Sequence, residues 1–230
     1  MTINKFFGDQ DAMNKPSNGN NFLAKIDKKR ILTSTGIQNL SIYSTFARVN
    51  VVITDSPNIN IHLYGKVKTN VNVTFSCKVV DNELIIKQNS SKEDSSVGDL
   101  ILTVAVPRKR FDRIAITTMS SNTTVYSGII CKTLTFKSLY GNLKTSSSFE
   151  KSSANTKNGN IDYFISPKGE VFLDLYTLSG NIILDFCSNA SAVITTKTMS
   201  GKVINRYKGR SRDNVVHGTV ETKTGSILIM

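Results

Sequence analysis

Thr177-Leu178-Ser179-Gly180-Asn181-Ile182 decides how the sequence is read, because the chain repeats its pattern. A hydroxyl residue, two others, Gly, one more residue and a branched apolar residue recur as Ser138-Leu139-Tyr140-Gly141-Asn142-Leu143 and Thr156-Lys157-Asn158-Gly159-Asn160-Ile161. Further copies are Thr198-Met199-Ser200-Gly201-Lys202-Val203 and Thr222-Lys223-Thr224-Gly225-Ser226-Ile227. One variant, Thr118-Met119-Ser120-Ser121-Asn122-Thr123, has Ser121 where Gly belongs. From Ser121 to Gly225 the steps are 20, 18, 21, 21 and 24 residues. Strand-like segments returning at this period through Gly corners predict a stacked β architecture.

Around each corner the apolar pattern has period two. Five residues before the Gly position stand Ile116, Phe136, Ala154, Leu175, Thr196 and Val220; two after it stand Thr123, Leu143, Ile161, Ile182, Val203 and Ile227. These positions share one face, the interior. Gly is expected to supply positive φ at the corner, and Asn142, Asn160 and Asn181 to tolerate left-handed geometry there. The Thr and Ser hydroxyls are expected to bond one another up the stack. Met119, Leu139, Leu178 and Met199, two before the Gly, read as a second packed layer or as an apolar partner surface.

The fold expected is all-β, a single-chain parallel β-solenoid with rungs of about 20 residues. Its handedness is expected to be right-handed, and its N-terminal half less regular. Residues 37–230 would make roughly ten rungs, ~45 Å in all at ~4.8 Å each. Residues 1–21 read as a flexible lead-in and 22–230 as one domain, with 22–36 as its N-terminal cap, either a short helix or a first strand. Gln88 to Asp99 reads as a surface loop. The last residues, Ile227 to Met230, read as an open terminal rung, to be covered by the N-terminal segment, by a loop or by a second copy in a homodimer.

Lys and Arg outnumber Asp and Glu by six in residues 1–115 and by six again in 116–230, giving +12 overall. Such a chain attracts anionic partners, an anionic polymer or a membrane surface among them, although charge that simply keeps the protein soluble is the plainer reading. Two clusters stand out: Arg108, Lys109, Arg110 and Arg113, and Lys202, Arg206, Lys208, Arg210 and Arg212. Trp is absent and no RNA-recognition motif occurs, so nothing beyond charge points to specific nucleic-acid binding.

Cys77, Cys131 and Cys187 are odd in number and far apart, which predicts packed thiols instead of a disulfide frame or zinc site. His62 and His217 have no triad-like partners in sequence, and Asp162, Asp174 and Asp185 sit at unrelated offsets from their corners. No catalytic residue, cofactor or metal is expected. As written, the chain lacks an apolar run for a signal peptide or membrane span, so a cytoplasmic location is expected; a trimmed piece would instead belong to the cell surface or envelope.

With these residues in view, the sequence resembles the DUF4097/DUF2807-like family, bacterial β-helix-like proteins called "putative adhesins". The likeness covers about residues 36–230. It rests on Gly36-Ile37-Gln38-Asn39-Leu40-Ser41-Ile42, Ala47-Arg48-Val49-Asn50-Val51, Asp81-Asn82-Glu83-Leu84-Ile85-Ile86, Leu102 to Pro107 followed by Ile114 to Thr118, and Ser179-Gly180-Asn181-Ile182. The resemblance implies a β-helix-like fold and a non-enzymatic binding or scaffold protein, with no catalytic residues to carry over. Two alternatives stand beside it: a polysaccharide-active β-helix enzyme with a degenerate site, and an accessory subunit of an envelope-stress or membrane-sensing system.

Overall fold

A computed structural model describes residues 23–91, 98–187, 190–209 and 213–230. The expected lead-in, 1–21, lies outside them, as do Arg210 and Arg212. All regular elements among these residues are strands. The period-two, β-branched runs are what make them so: core strands such as β10 (Ile130–Ser138) and β14 (Val171–Ser179) bury alternate residues and leave the others facing out.

The strands form two sheets. The first 100 or so residues supply β1 (Leu23–Thr33), β2 (Asn39–Ser44), β3 (Arg48–Thr54), β4 (Asn58–Lys68), β5 (Val73–Val80), β6 (Glu83–Ser90) and β7 (Gly98–Pro107). The chain then crosses from one sheet to the other at every copy of the corner phrase. These crossings link β8 (Arg110–Thr118) to β9 (Thr123–Val125), β10 (Ile130–Ser138) to β11 (Leu143–Thr145), and β12 (Ser148–Asn158) to β13 (Ile161–Ile165). They go on to link β14 (Val171–Ser179) to β15 (Ile182–Phe186), β16 (Ser191–Ser200) to β17 (Val203–Asn205), and β18 (Val215–Thr224) to β19 (Ile227–Ile229).

One sheet runs β1-β4-β7-β3-β9-β11-β13-β15-β19-β17 and the other β16-β18-β14-β12-β10-β8-β2-β6-β5. Pairing is parallel throughout except at β1–β4, β4–β7 and β5–β6, where the irregular N-terminal part supplies antiparallel strands. Residues 23–33 thus form a strand, not a helix, which pairs with β4 and is itself the edge of its sheet.

Register follows the repeat. Leu143 faces Ile161, Ile161 faces Ile182 and Ile182 faces Ile227, all buried. In the other sheet Phe136 faces Ile116 and Ala154, and Leu175 faces Val220. Inward residues from both sheets join one contiguous core running from Ile37 to Ile229. Burying one such branched side chain is worth about 1.5–3 kcal/mol.

The order of the strands departs from the sequence at both ends. β18 lies between β14 and β16: Thr222 is in register with Thr177 on one side and with Thr198 on the other. β19 likewise lies between β15 and β17. The expected open terminal rung is therefore interior: Ile227 and Ile229 are buried, while β17 is exposed along its length. Composition explains the choice. At the matched positions β18 and β19 offer Val216, Gly218, Val220, Thr222, Ile227 and Ile229, whereas β16 and β17 offer Ala192, Ile194, Thr196, Thr198, Val203 and Asn205, so the more apolar rung is enclosed. The long step from Gly201 to Gly225 gives the chain slack to return. At the other end β2 and β3 lie between β8 and β9 on one side and β6 and β7 on the other.

Of the loop expected from Gln88 to Asp99, residues 88–90 belong to β6, Gly98 and Asp99 begin β7, and residues 92–97 lie outside those described; Gln88 itself is not in a loop. It is fully buried in β6, where its side-chain carbonyl accepts from the Ser44 hydroxyl at 2.8 Å and from the Ala47 N–H at 3.3 Å. The corner it fills lacks a Gly phrase, and a long amide side chain reaches its backbone donors instead.

Candidate functional site

The corner itself is a hydrogen-bonding device. A Cβ on Gly141 would run into the Ser121 carbonyl oxygen; on Gly159, into that of Gly141; on Gly180, into that of Gly159. Gly225 stands in the same relation to Gly180, and Gly201 to Gly225. Gly141 and Gly159 do not have positive φ, so close approach of the next rung, not left-handed backbone, is the requirement common to the column. The hydroxyl three residues earlier addresses the same carbonyls. Thr177 donates to Gly159 O at 3.0 Å, Thr222 to Gly180 O at 3.0 Å and Thr198 to Gly225 O at 3.0 Å. Hydroxyl-to-hydroxyl bonding occurs at Thr118–Ser138, 2.9 Å. Elsewhere the carbonyl is the better-placed acceptor.

Beside this column the Asn side chains form a ladder. Asn142 Oδ1 accepts from the Asn160 N–H at 2.6 Å, Asn160 Oδ1 from Asn181 N–H at 2.8 Å, and Asn181 Oδ1 from Ser226 N–H at 2.8 Å. The asparagines thus satisfy backbone donors at the bend; none has positive φ. The apolar position two before Gly is not one continuous packed layer: Leu139 is 43% and Met199 73% exposed, while Met119 and Leu178 are half-buried.

Ser121 begins the column, with no Gly carbonyl beneath it. The neighbouring corner, Thr45 to Ala47, has a different path, and a polar cleft of about 180 Å³ opens there between Arg48, Asp99, Ser121 and Asn122. Ser121 Oγ, which lines the cleft, is buried without a hydrogen-bond partner among the described residues, as are Thr45 Oγ1, Gln88 Nε2 and Thr123 Oγ1. Sequence reading marked Ser121 as an imperfect copy and missed the cleft, since the fault lies in the path of its neighbour.

The two basic clusters fare differently. Arg108 pairs with Asp55 at 3.3 Å, Arg110 with Glu150, and Arg113 with Glu83 at 2.6 Å. Lys109 donates to the backbone carbonyls of Ser34, 2.6 Å, and Ile37, 2.5 Å, and lies over the Phe111 ring. Partial burial lowers its pKa. This cluster is a seam that ties residues 34–37 and two other rungs together. Lys202, Arg206 and Lys208 are exposed at the β17 end, and no ion pair joins them to an acid among the described residues. Five strand spacings separate β8 from β16, so the clusters stand ~24 Å apart along the pile and do not form one patch.

The remaining titratable groups belong to the framework. Burial pushes the Cys77 thiol up to about 11 and the Cys131 thiol up to about 12, so both stay protonated at neutral pH. The buried Tyr163 hydroxyl bonds Ser152 Oγ at 2.6 Å, and its pKa is raised by burial. His62 Nε2 meets Asp27 Oδ1 at 2.7 Å, linking β4 to β1, and His217 stacks on Phe172. Asp162 is raised by desolvation, opposed by Lys144. No group of three or more His, Cys, Asp or Glu able to hold a metal occurs among the described residues, nor is any helix there long and apolar enough to cross a membrane.

No protein-family model matches the sequence, and no curated protein matches it. Solved structures do. A "putative cell adhesion protein" from Clostridium sporogenes superposes with a TM-score of 0.56 at 12% identity, covering 90% of this chain and 99% of its own. A "putative adhesin" from Bacteroides fragilis gives 0.50 at 16% identity, covering 90% and 97%. Over nearly their whole length these proteins share this fold.

Proposed function

We propose that the chain is a non-enzymatic binding scaffold, a right-handed β-solenoid of the adhesin type whose C-terminal end presents Lys202, Arg206 and Lys208 to an anionic polymer. The observation that supports this reading is the contrast between the clusters. Arg108, Lys109, Arg110 and Arg113 are engaged by the protein's own acids and carbonyls, whereas the exposed cations at the β17 end have no acid paired with them among the described residues. The solenoid reading rests on the parallel, repeat-spaced register and on the right-handed preference of parallel crossovers. Adhesion, for which the fold's neighbours are named, is binding of this kind.

Each cation near an anionic surface contributes about 1 kcal/mol, so three give about 100-fold in affinity, weakened by salt. The test is co-sedimentation with teichoic acid, with phosphatidylserine vesicles and with phosphatidylcholine vesicles as the neutral control. Changing Lys202, Arg206 and Lys208 together to Gln should weaken teichoic-acid binding about 100-fold, while Arg110→Gln should leave it unchanged. Equal binding by the triple variant removes the proposal; binding confined to anionic vesicles replaces the polymer with a membrane surface.

A further inference from the structure

We infer that two copies of the chain join end to end through β16, edge to edge and antiparallel, about a two-fold axis at Thr196. Among the described residues β16 is the outermost strand of its sheet, ten residues long and paired on one side only, with β18. The N–H of Ser191 bonds Asn214 on the β18 side. By alternation, the inward-facing Ala192, Ile194 and Thr196 direct their backbone groups to the open side. Their side chains are half-buried, although the residues in register with Ala192 and Thr196 on β18, Val216 and Val220, are fully enclosed.

The edge strands differ in charge, and β5, at the far end of β16's own sheet, carries only Lys78. β1, at the far end of the other sheet, carries Lys25, Asp27, Lys28, Lys29 and Arg30 in eleven residues, which discourages strand addition. β16 carries a single charge, Lys197, and that is paired with Glu221 of its own chain at 3.3 Å. The rest of β16 is Ser, Ala, Val, Ile, Thr and Met, without Pro. Such an edge invites pairing.

Self-complementary register singles out a second copy as the occupant. With Thr196 on the axis, Val193 lies opposite the other copy's Met199, Ile194 opposite Thr198, and Lys197 opposite Thr195. Val193, 61% exposed, and Met199, 73% exposed, cover each other twice, and no two lysines meet directly. Lys202, Arg206 and Lys208 sit at the same end, so the two copies repel at low ionic strength and salt strengthens the association. The inference is independent of the polyanion reading, which predicts the opposite salt dependence.

Sedimentation equilibrium of the full chain is expected to show a monomer–dimer equilibrium shifting toward dimer as salt is raised. Val193→Lys with Met199→Lys sets like charges across both outer pairs and should weaken dimerisation by about tenfold or more. Val193→Glu with Met199→Lys sets opposite charges across the same pairs and should restore it. Circular dichroism of both double variants should match the unaltered chain, since both positions face solvent. Thr196→Cys should give a disulfide-linked dimer absent from the unaltered chain, as paired Cα atoms in such a ladder lie about 5.5 Å apart. A monomer at every salt and protein concentration overturns the inference, and means that β16 is covered from within the chain or not at all. An open-ended series of oligomers also overturns it, because β16 would then be meeting β5 at the opposite end.

Discussion

One carbonyl oxygen per rung explains the residue types of the corner. The Gly of the next rung must lack a side chain because that oxygen lies where Cβ would be, and the Thr three residues before it donates to the same atom. Gly159→Ala should therefore destabilise the protein by about 3 kcal/mol or more, since both obstacles are backbone of the adjacent rung and cannot move aside. Ser121→Gly should cost only about 0.5–1 kcal/mol, the entropy of the added glycine, as no Gly carbonyl lies beneath it. Urea unfolding of the two variants separates these cases, and equal losses would contradict the account. The phrase was legible in the sequence; its physics was only half legible. Spacing revealed that Thr, Gly and Asn recur together, but a corner needing positive φ and a corner pressed against its neighbour leave the same letters. The Asn ladder was hidden for the same reason, because its acceptors serve N–H groups 18 to 45 residues away.

At the scale of elements, most strands and faces could be read directly from alternation, while partners could not. β1 shows why. Its sequence leaves a short helix and a first strand both open, and only the structure makes it a strand, antiparallel on β4, with Asp27 held to His62. The hydrogen bond from His62 is the main cause that lowers the Asp27 pKa below 3.8, with Lys29 and Lys25 adding to it. A carboxyl whose folded pKa is depressed stabilises the folded state above its unfolded value and loses that contribution as pH falls through the folded value. β1 should accordingly loosen from β4 as the pH drops from about 3.8 downward, before the parallel core responds. Hydrogen exchange of β1 amides across that range reads the effect, and Asp27→Asn should show the loosened exchange already at neutral pH. Exchange in β1 that follows the core at every pH would show that the Asp27–His62 bond does not hold the strand.

For the molecule as a whole, the period predicted a pile of rungs and the composition predicted its core, but chain order did not predict rung order. Nearest copies in sequence, at Thr177 and Thr198, are separated in space by the last copy, at Thr222. A repeat gives each rung nearly the same corner, so the phrase says that rungs stack and not which rung lies next to which. The difference in apolar content between β18–β19 and β16–β17 decides it, together with the long return from Gly201 to Gly225. Ending the chain at Gly209 tests this arrangement. In a coil laid down in order, removing the last rung merely uncovers the one before it, and β16 and β17 stay paired. Here β16 and β17 touch the two sheets only through β18 and β19, so both should lose their ladder although their residues remain. Hydrogen exchange of the shortened chain should show unprotected amides across residues 191–205 and intact protection in β12 and β10, three and four strand spacings from β16. Retained protection in β16 would mean that it can reach β14 directly, and that the interleaved order is a preference and not a requirement.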